Sequence, residues 1–167
     1  MQEAALLKVW ETSPNFTAAM LRNSPPGSVV SNVGCRLSLE TYCDYYFIDA
    51  VFFDRVTDRV HCSPIGQTWI DRIQVALEHE NHFKSGLFKE ASHLLITRAD
   101  LRVLVTYPEA FDENPELDSL ATVIHESHLA DPSFLLITGK RIPSDLGKWD
   151  GVEWVGRIYS AGGWVPV

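Results

Sequence analysis

Cysteine is scarce in this chain, and its few cysteines do not form a disulfide framework or a zinc site. The 167 residues contain three, Cys35, Cys43 and Cys62, an odd number without a Cys-x-x-Cys pair. Disulfide-rich secreted domains and structural zinc sites both need more cysteines or closer ones. We therefore expect reduced, mostly buried thiols and a cytoplasmic protein.

Long apolar runs and excess positive charge are also missing. Even the longest apolar stretches, such as Ala50–Phe53, fall far short of the roughly 20 apolar residues that a membrane-spanning helix needs. The first residues, MQEAALLKVWETS, have no basic region and no sustained apolar run, so we expect neither a signal peptide nor membrane association. Lys and Arg total 14 against 22 Asp and Glu, a net charge of −8. That charge disfavours broad electrostatic binding of nucleic acid but still allows a local groove or a site where cations offset the carboxylates.

Several catalytic and nucleotide-binding motifs are absent. No Gly-x-Ser-x-Gly, Gly-x-Gly-x-x-Gly or Gly-x-x-x-x-Gly-Lys-Ser/Thr sequence occurs, which argues against serine hydrolases of the nucleophile-elbow type and against common nucleotide-binding folds. His125 and His128 are three residues apart rather than four, so they do not form the zinc-protease motif, and a solvated helix end is the expectation there. Trp149, Trp154 and Trp164 near the carboxyl end are expected to pack in a final strand, with a partner-facing apolar edge as the alternative.

Strand-like and helix-like segments alternate along the chain, which is 46% hydrophobic. This alternation predicts one α/β domain over residues 1–167, with a central mixed β-sheet flanked by helices and an antiparallel hairpin near its start. The predicted strands are Tyr45–Phe53, Ile73–Glu80, Leu101–Tyr107, Phe134–Thr138 and Val152–Tyr159. The predicted helices are residues 2–11, Ala18–Arg22, a short one capped from Ser38, Ser85–Thr97 and Leu117–Leu129.

Acidic residues inside strand-like segments are the main functional signal. Asp49 lies between Ile48 and Ala50, and Glu78 and Glu80 follow an apolar run. Since side chains alternate along a strand, Glu78 and Glu80 should share a face while His79 points to the other. If Asp49 lies beside that face, three carboxylates converge, and a cation such as Mg²⁺ or Mn²⁺ relieves their repulsion. The alternative is a solvated strand end without chemistry.

The segment Tyr45–Tyr107 resembles the restriction-endonuclease-like, PD-(D/E)XK superfamily of nucleases, in a branch with an EHEN-type motif. The resemblance lies in Asp49 within YYFIDAVFF, Glu78 and Glu80 within VALEHEN, and the helix and strand RVLVTY that follow. It implies a restriction-endonuclease-like core in which a strand with Asp precedes a hairpin return with Glu-x-Lys, then a helix and a further strand.

The resemblance also implies a role for each matching residue. Asp49 and Glu78 would bind Mg²⁺ or Mn²⁺ with the backbone carbonyl of His79, and Asp49, Glu78 and Glu80 would be the catalytic residues. Glu80 stands where lysine is usual and would help orient the attacking water.

Two further features of the family pattern have only candidates in this chain. Lys84 or Lys89 from the next helix would replace the missing lysine. Glu40 is the candidate for an acid that the family often takes from its first helix.

The function that follows is cleavage of phosphodiester bonds in DNA or RNA by a metal-dependent endonuclease, with homodimerisation as a possible feature. The lysine departure and the net charge of −8 leave two alternatives open. One is a binding module that kept the nuclease fold and lost the chemistry. The other is an acidic inhibitor whose negative surface masks a basic partner.

Overall fold

The computed structural model describes residues 20–21, 27–58, 60–108, 115–127, 133–143 and 149–167. Within these residues three α-helices pack against a mixed sheet of seven strands, and two further strands form a separate small sheet. The prediction of an α/β fold with a central mixed sheet is confirmed. No helix in these ranges is long and apolar enough to cross a membrane.

Along the described residues one helix and five strands come first, helices and strands then alternate, and three successive strands come last. The helices are α1 (Val29–Leu37), α2 (Phe83–Ile96) and α3 (Pro115–Glu126). The strands are β1 (Glu40–Tyr45), β2 (Ile48–Phe53), β3 (Val60–Cys62), β4 (Thr68–Ile70), β5 (Ile73–Glu80), β6 (Ala99–Thr106), β7 (Phe134–Pro143), β8 (Trp149–Ser160) and β9 (Gly163–Pro166). The large sheet has the order β1-β2-β5-β6-β7-β8-β9, and β3 pairs with β4.

The chain divides into two compact units. The first comprises Met1–Ala76 with Thr97–Asp100, and the second comprises Leu77–Ile96 with Leu101–Val167. The predicted helix at residues 2–11 and most of the one at Ala18–Arg22 lie outside the described residues; of the latter, Met20 and Leu21 are described and helical.

In the first unit a capped helix is followed by a hairpin. Ser28 accepts a hydrogen bond from the backbone N–H of Ser31 at 3.1 Å, which starts α1, and Ser38 ends it in the left-handed conformation. Strands β1 and β2 are antiparallel, and their two-residue turn places Tyr46 at φ 46° and Phe47 at φ 74°. An antiparallel hairpin therefore lies near the start, but it pairs Glu40–Tyr45 with Ile48–Phe53 and not the two strands predicted there, Tyr45–Phe53 and Ile73–Glu80.

Two local predictions in the first unit are wrong. The run Tyr45–Phe53 is not one strand, because the chain reverses at Tyr46 and Phe47. No helix starts at Ser38, because that residue closes α1 and the chain continues directly into β1. Bulky residues rarely adopt positive φ, so the turn carries no ordinary turn signal.

The second unit is built on a helix–strand alternation. Helix α2 follows β5 and leads to β6, and α3 leads from β6 to β7, which lies parallel to β6 with Arg102 opposite Phe134. Strands β8 and β9 continue the sheet in antiparallel order. Helix α2 buries a stripe at helical spacing, and its centre packs into a core of large apolar side chains: Leu87, Leu94, Leu104, Leu120, Phe134 and Leu136. This packing fixes α2 beside the end of β5.

Candidate metal centre

Side chains at the end of β5 alternate between the face that packs against α2 and the face that contacts Tyr107. Glu78 and Glu80 both contact α2: Glu78 Oε1 lies 3.2 Å from His93 Nδ1, and the Glu80 carboxylate lies against Gly86. His79 contacts Tyr107 instead, with Nε2 2.8 Å from its hydroxyl oxygen. The two glutamates therefore share a face, as the period of a strand requires.

Glu78 is a buried carboxylate. It is 1% exposed, so the alternative of a solvated strand end does not describe this residue. A carboxylate taken out of water costs several kcal/mol unless a cation or hydrogen-bond donors compensate. The imidazole of His93 supplies one such contact.

Glu78 meets two side chains of α2 at one point. Candidate ligand atoms of Glu78, Glu90 and His93 all lie within 4.8 Å of one another. His93 Nδ1 is 3.2 Å from Glu78 Oε1 and 3.1 Å from Glu90 Oε2. Glu90 and His93 are three residues apart on one helix, which places them on the same face.

Lys89 adds a positive charge at the rim of this group. Its Nζ lies 3.1 Å from Glu90 Oε1, and its side chain is 69% exposed. The hydrogen bond and charge of Glu90, with smaller contributions from Glu78 and Glu80, raise the pKa of Lys89 above its ordinary value. Lys89 is therefore a protonated ammonium at neutral pH.

Glu80 is held at the start of α2. One carboxylate oxygen accepts a hydrogen bond from the backbone N–H of His82. The other occupies space left by a glycine, since a Cβ on Gly86 would lie 1.4 Å from Glu80 Oε2. Negative charge is favourable at a helix N-terminus, so this carboxylate has a structural role whatever else it does.

The ring of His79 is buried with Tyr107. Burial lowers the pKa of His79 to about 4, so the ring is neutral at physiological pH. The resemblance assigns only the backbone carbonyl of His79 to a metal, and the side chain packs on the side of β5 away from Glu78 and Glu80.

Asp49 and Glu40 lie in the first unit. Asp49 is half-buried on β2 between buried Ile48 and Ala50. Glu40 begins β1 and forms an ion pair with Arg55 at 2.7 Å. The expectation of an acid donated by the first helix is therefore wrong for Glu40, because that residue lies on a strand.

Glu90 and His93 are candidate ligands that the sequence interpretation missed. They form a Glu-x-x-His sequence within a predicted helix. That spacing supplies a carboxylate and an imidazole to one face, and carboxylate-bridged metal sites in helical bundles use it. The pattern was available in the sequence, but nothing in it shows that this face meets Glu78.

Other candidate residues have ordinary environments. Trp164 donates from Nε1 to the carbonyl of Leu117 at 2.9 Å, which ties β9 to α3 and agrees with packing in a final strand. His125 is exposed in the last turn of α3. The prediction of mostly buried thiols is wrong, because Cys35 and Cys62 are exposed and only Cys43 is half-buried.

The group formed by Glu78, Glu90 and His93 has the composition of a metal site. Carboxylate oxygen and imidazole nitrogen are both common ligands of divalent ions, and here they come from a strand and a helix that the core holds in place. Comparisons of the chain with protein-family models, with curated proteins and with solved structures find no match.

Proposed function

We propose that this chain is a divalent-metal-dependent nuclease that hydrolyses phosphodiester bonds on a single restriction-endonuclease-like domain. The observation that carries the proposal is the buried Glu78 at the end of β5, which faces Glu90 and His93 of α2. A buried acid with two further ligand side chains is suited to hold a cation. Glu78 is also the residue that the resemblance assigns to metal.

The order of elements supports the same core. Helix α1 precedes the hairpin β1–β2, which carries Asp49, and β5 carries Glu78 before α2 and β6. The neighbours in the sheet run β1-β2-β5-β6. This succession corresponds to a strand with Asp, a strand with Glu-x-Lys, a helix and a further strand.

Each residue has a chemical role in this proposal. Glu78 would hold Mg²⁺ or Mn²⁺, which lowers the pKa of a bound water and offsets charge on the phosphate. The resemblance alone adds Asp49 and the backbone carbonyl of His79 as ligands. The Glu80 carboxylate, which accepts a hydrogen bond from the backbone N–H of His82, would orient the water. Lys89 is the better candidate for the missing lysine, because its ammonium lies beside Glu90 and close enough to Glu78 and Glu80 for their charges to raise its pKa. Its positive charge would stabilise the developing negative charge on the substrate.

The proposal also covers how the chain would bind nucleic acid and where in the cell it would act. The net charge of −8 means that binding of nucleic acid would depend on the metal, a local groove or a second copy of the chain in a homodimer. Two exposed, free thiols are compatible with a reducing, cytoplasmic location.

The test is cleavage of supercoiled plasmid, single-stranded DNA and RNA with Mg²⁺ and then Mn²⁺. Glu78→Gln keeps the size of the side chain and removes its charge, and Glu126→Gln on the exposed surface of α3 is the matched control. We expect metal-dependent cleavage that falls roughly 100-fold or more in Glu78→Gln, because an essential ligand is lost. The control should retain the activity.

Other outcomes would overturn the proposal. Cleavage that persists in Glu78→Gln would come from another site or from a contaminant. No cleavage of any substrate with either metal would favour the inactive binding module, and steeply salt-dependent association with a basic protein would favour the acidic inhibitor.

A further inference from the structure

We propose that Glu90 and His93 of α2 bind the metal together with Glu78, and that this site prefers a divalent transition ion such as Mn²⁺ to Mg²⁺. The role of this site in catalysis rests on the proposed function, whereas its affinity for ions is measured without substrate. It adds a carboxylate and an imidazole nitrogen from α2 to the oxygen ligand that Glu78 supplies from β5.

The geometry around His93 Nδ1 is the first argument. This one nitrogen lies 3.2 Å from Glu78 Oε1 and 3.1 Å from Glu90 Oε2. A ring nitrogen carries at most one hydrogen, so it donates well to only one carboxylate at a time. A divalent ion that replaces the hydrogen would contact the nitrogen and both carboxylates together.

Burial is graded across the three side chains, which is the second argument. Glu78 is 1% exposed, Glu90 14% and His93 26% at their side chains. The inner carboxylate therefore lies in the protein, while the two helix residues open toward solvent. An ion could reach the group from that side and keep water molecules as its remaining ligands, as catalytic metal sites with three protein ligands do.

The donor set decides the class of ion. Mg²⁺ prefers six oxygen ligands and usually keeps several waters. Imidazole nitrogen is a common ligand of divalent transition-metal ions, whereas carboxylate oxygen binds Mg²⁺ and Mn²⁺ alike. Two carboxylates with one imidazole therefore favour Mn²⁺ over Mg²⁺.

The experiment is isothermal titration of the full chain with MnCl₂ and with MgCl₂, with thermal melting of the metal-free protein as a check on folding. We compare His93→Gln, Glu90→Gln and Glu78→Gln with the exposed control His125→Gln on α3. Mn²⁺ should bind the wild type at least about 10-fold more tightly than Mg²⁺, and each of the three ligand variants should lose roughly 10- to 100-fold in Mn²⁺ affinity. The control should bind as the wild type does.

A fourth variant keeps the inference testable if His93→Gln folds poorly. His93→Asp replaces the imidazole by a carboxylate, so it should bind both ions and lose the preference for Mn²⁺. A preference that persists in His93→Asp would overturn the inference.

The inference and the nuclease proposal fail in different ways. Unchanged Mn²⁺ affinity in His93→Gln and Glu90→Gln would refute the role of α2, while cleavage lost in Glu78→Gln would leave the nuclease proposal standing. Mn²⁺ binding that depends on all three residues, without cleavage of any nucleic acid, would support this site and refute the nuclease. A wild type that binds no Mn²⁺ would overturn the inference directly.

Discussion

Gly86 is the residue through which the placement of Glu80 can be tested. In a helix interior glycine is intrinsically less favourable than alanine by about 0.8–1 kcal/mol, and Gly86 is a buried residue of α2. Here the added methyl would lie 1.4 Å from Glu80 Oε2, 2.1 Å from Cδ and 2.9 Å from Cγ. Gly86→Ala must therefore displace the whole carboxylate from its position against α2.

The cost of that displacement follows from the contacts that Glu80 makes. The side chain is flexible and can move, so the steric overlap itself is relieved. What is lost is the hydrogen bond from the backbone N–H of His82 to a charged carboxylate, which contributes about 1.5–3 kcal/mol. This loss exceeds the gain in helix propensity, so Gly86→Ala should destabilise the protein by about 1 kcal/mol.

The same substitution should have the opposite sign once Glu80 is gone. In a Glu80→Ala background the three atoms nearest to the methyl, all on the Glu80 side chain, are gone, and Gly86→Ala should then stabilise the fold by about 0.8–1 kcal/mol. The double-mutant cycle should give a coupling energy of about 2 kcal/mol. Urea denaturation of the four proteins measures it. Equal stabilisation in both backgrounds would show that Glu80 does not lie on Gly86 and would refute the reasoning.

Two further predictions concern buried polar groups. Burial lowers the pKa of His79 from 6.5 to about 4, so between these pH values the unfolded chain binds a proton that the folded chain does not. The free energy of unfolding should therefore be highest above pH 6.5 and fall by about 3 kcal/mol as the pH is lowered to 4. Urea denaturation at several pH values should show that His79→Gln removes this pH dependence and that His61→Gln, at an exposed position, keeps it. Equal pH dependence in the wild type and both variants would contradict the lowered pKa of His79. The Tyr45 hydroxyl accepts a hydrogen bond from the backbone N–H of Ile70 at 3.0 Å, so Tyr45→Phe should cost about 1–2 kcal/mol. Tyr46→Phe, at a side chain that is 62% exposed, should cost almost nothing, and a comparable loss in both would refute the role of this bond.

Elements with a strong period were predictable from the sequence. Strand β5 has the predicted bounds Ile73–Glu80, and α2 begins two residues before the predicted start at Ser85. Helix α2 repeats apolar residues at helical spacing over a length that makes the spacing distinctive, whereas β5 is ambiguous by period and is marked by an apolar run that ends in charge.

Elements decided by packing or by unusual backbone were not predictable. Helix α1 has the sequence VVSNVGCRL, whose valines, asparagine and glycine are poor helix formers. It forms where Ser28 caps its start and Gly34 lets it approach β1, since a Cβ there would lie 2.3 Å from Thr41 Oγ1. These contacts depend on the neighbouring strand, which local composition does not encode.

The residues of the candidate site also differ in whether the sequence alone could indicate them. An acid after an apolar run marked Glu78, because burial of charge inside a strand is costly and calls for a reason. Glu90 and His93 lie beside Lys89 on a helix, where charged side chains ordinarily face solvent. Only the packing of α2 onto the end of β5 distinguishes them from a solvated face.

The position at which the resemblance expects a lysine bears on the part that α2 would play in the proposed chemistry. In this chain the position is Glu80, and its carboxylate is held by the backbone N–H of His82 and by the space at Gly86. A lysine at this position would place a positive charge at the N-terminus of α2, where the helix dipole disfavours it. On the proposed function the positive charge would come instead from Lys89, next to Glu90 and one turn before His93. On the proposed function, β5 contributes the buried acid and α2 contributes the lysine and two ligands, so substitutions on α2 should affect ion binding as strongly as those on the strand.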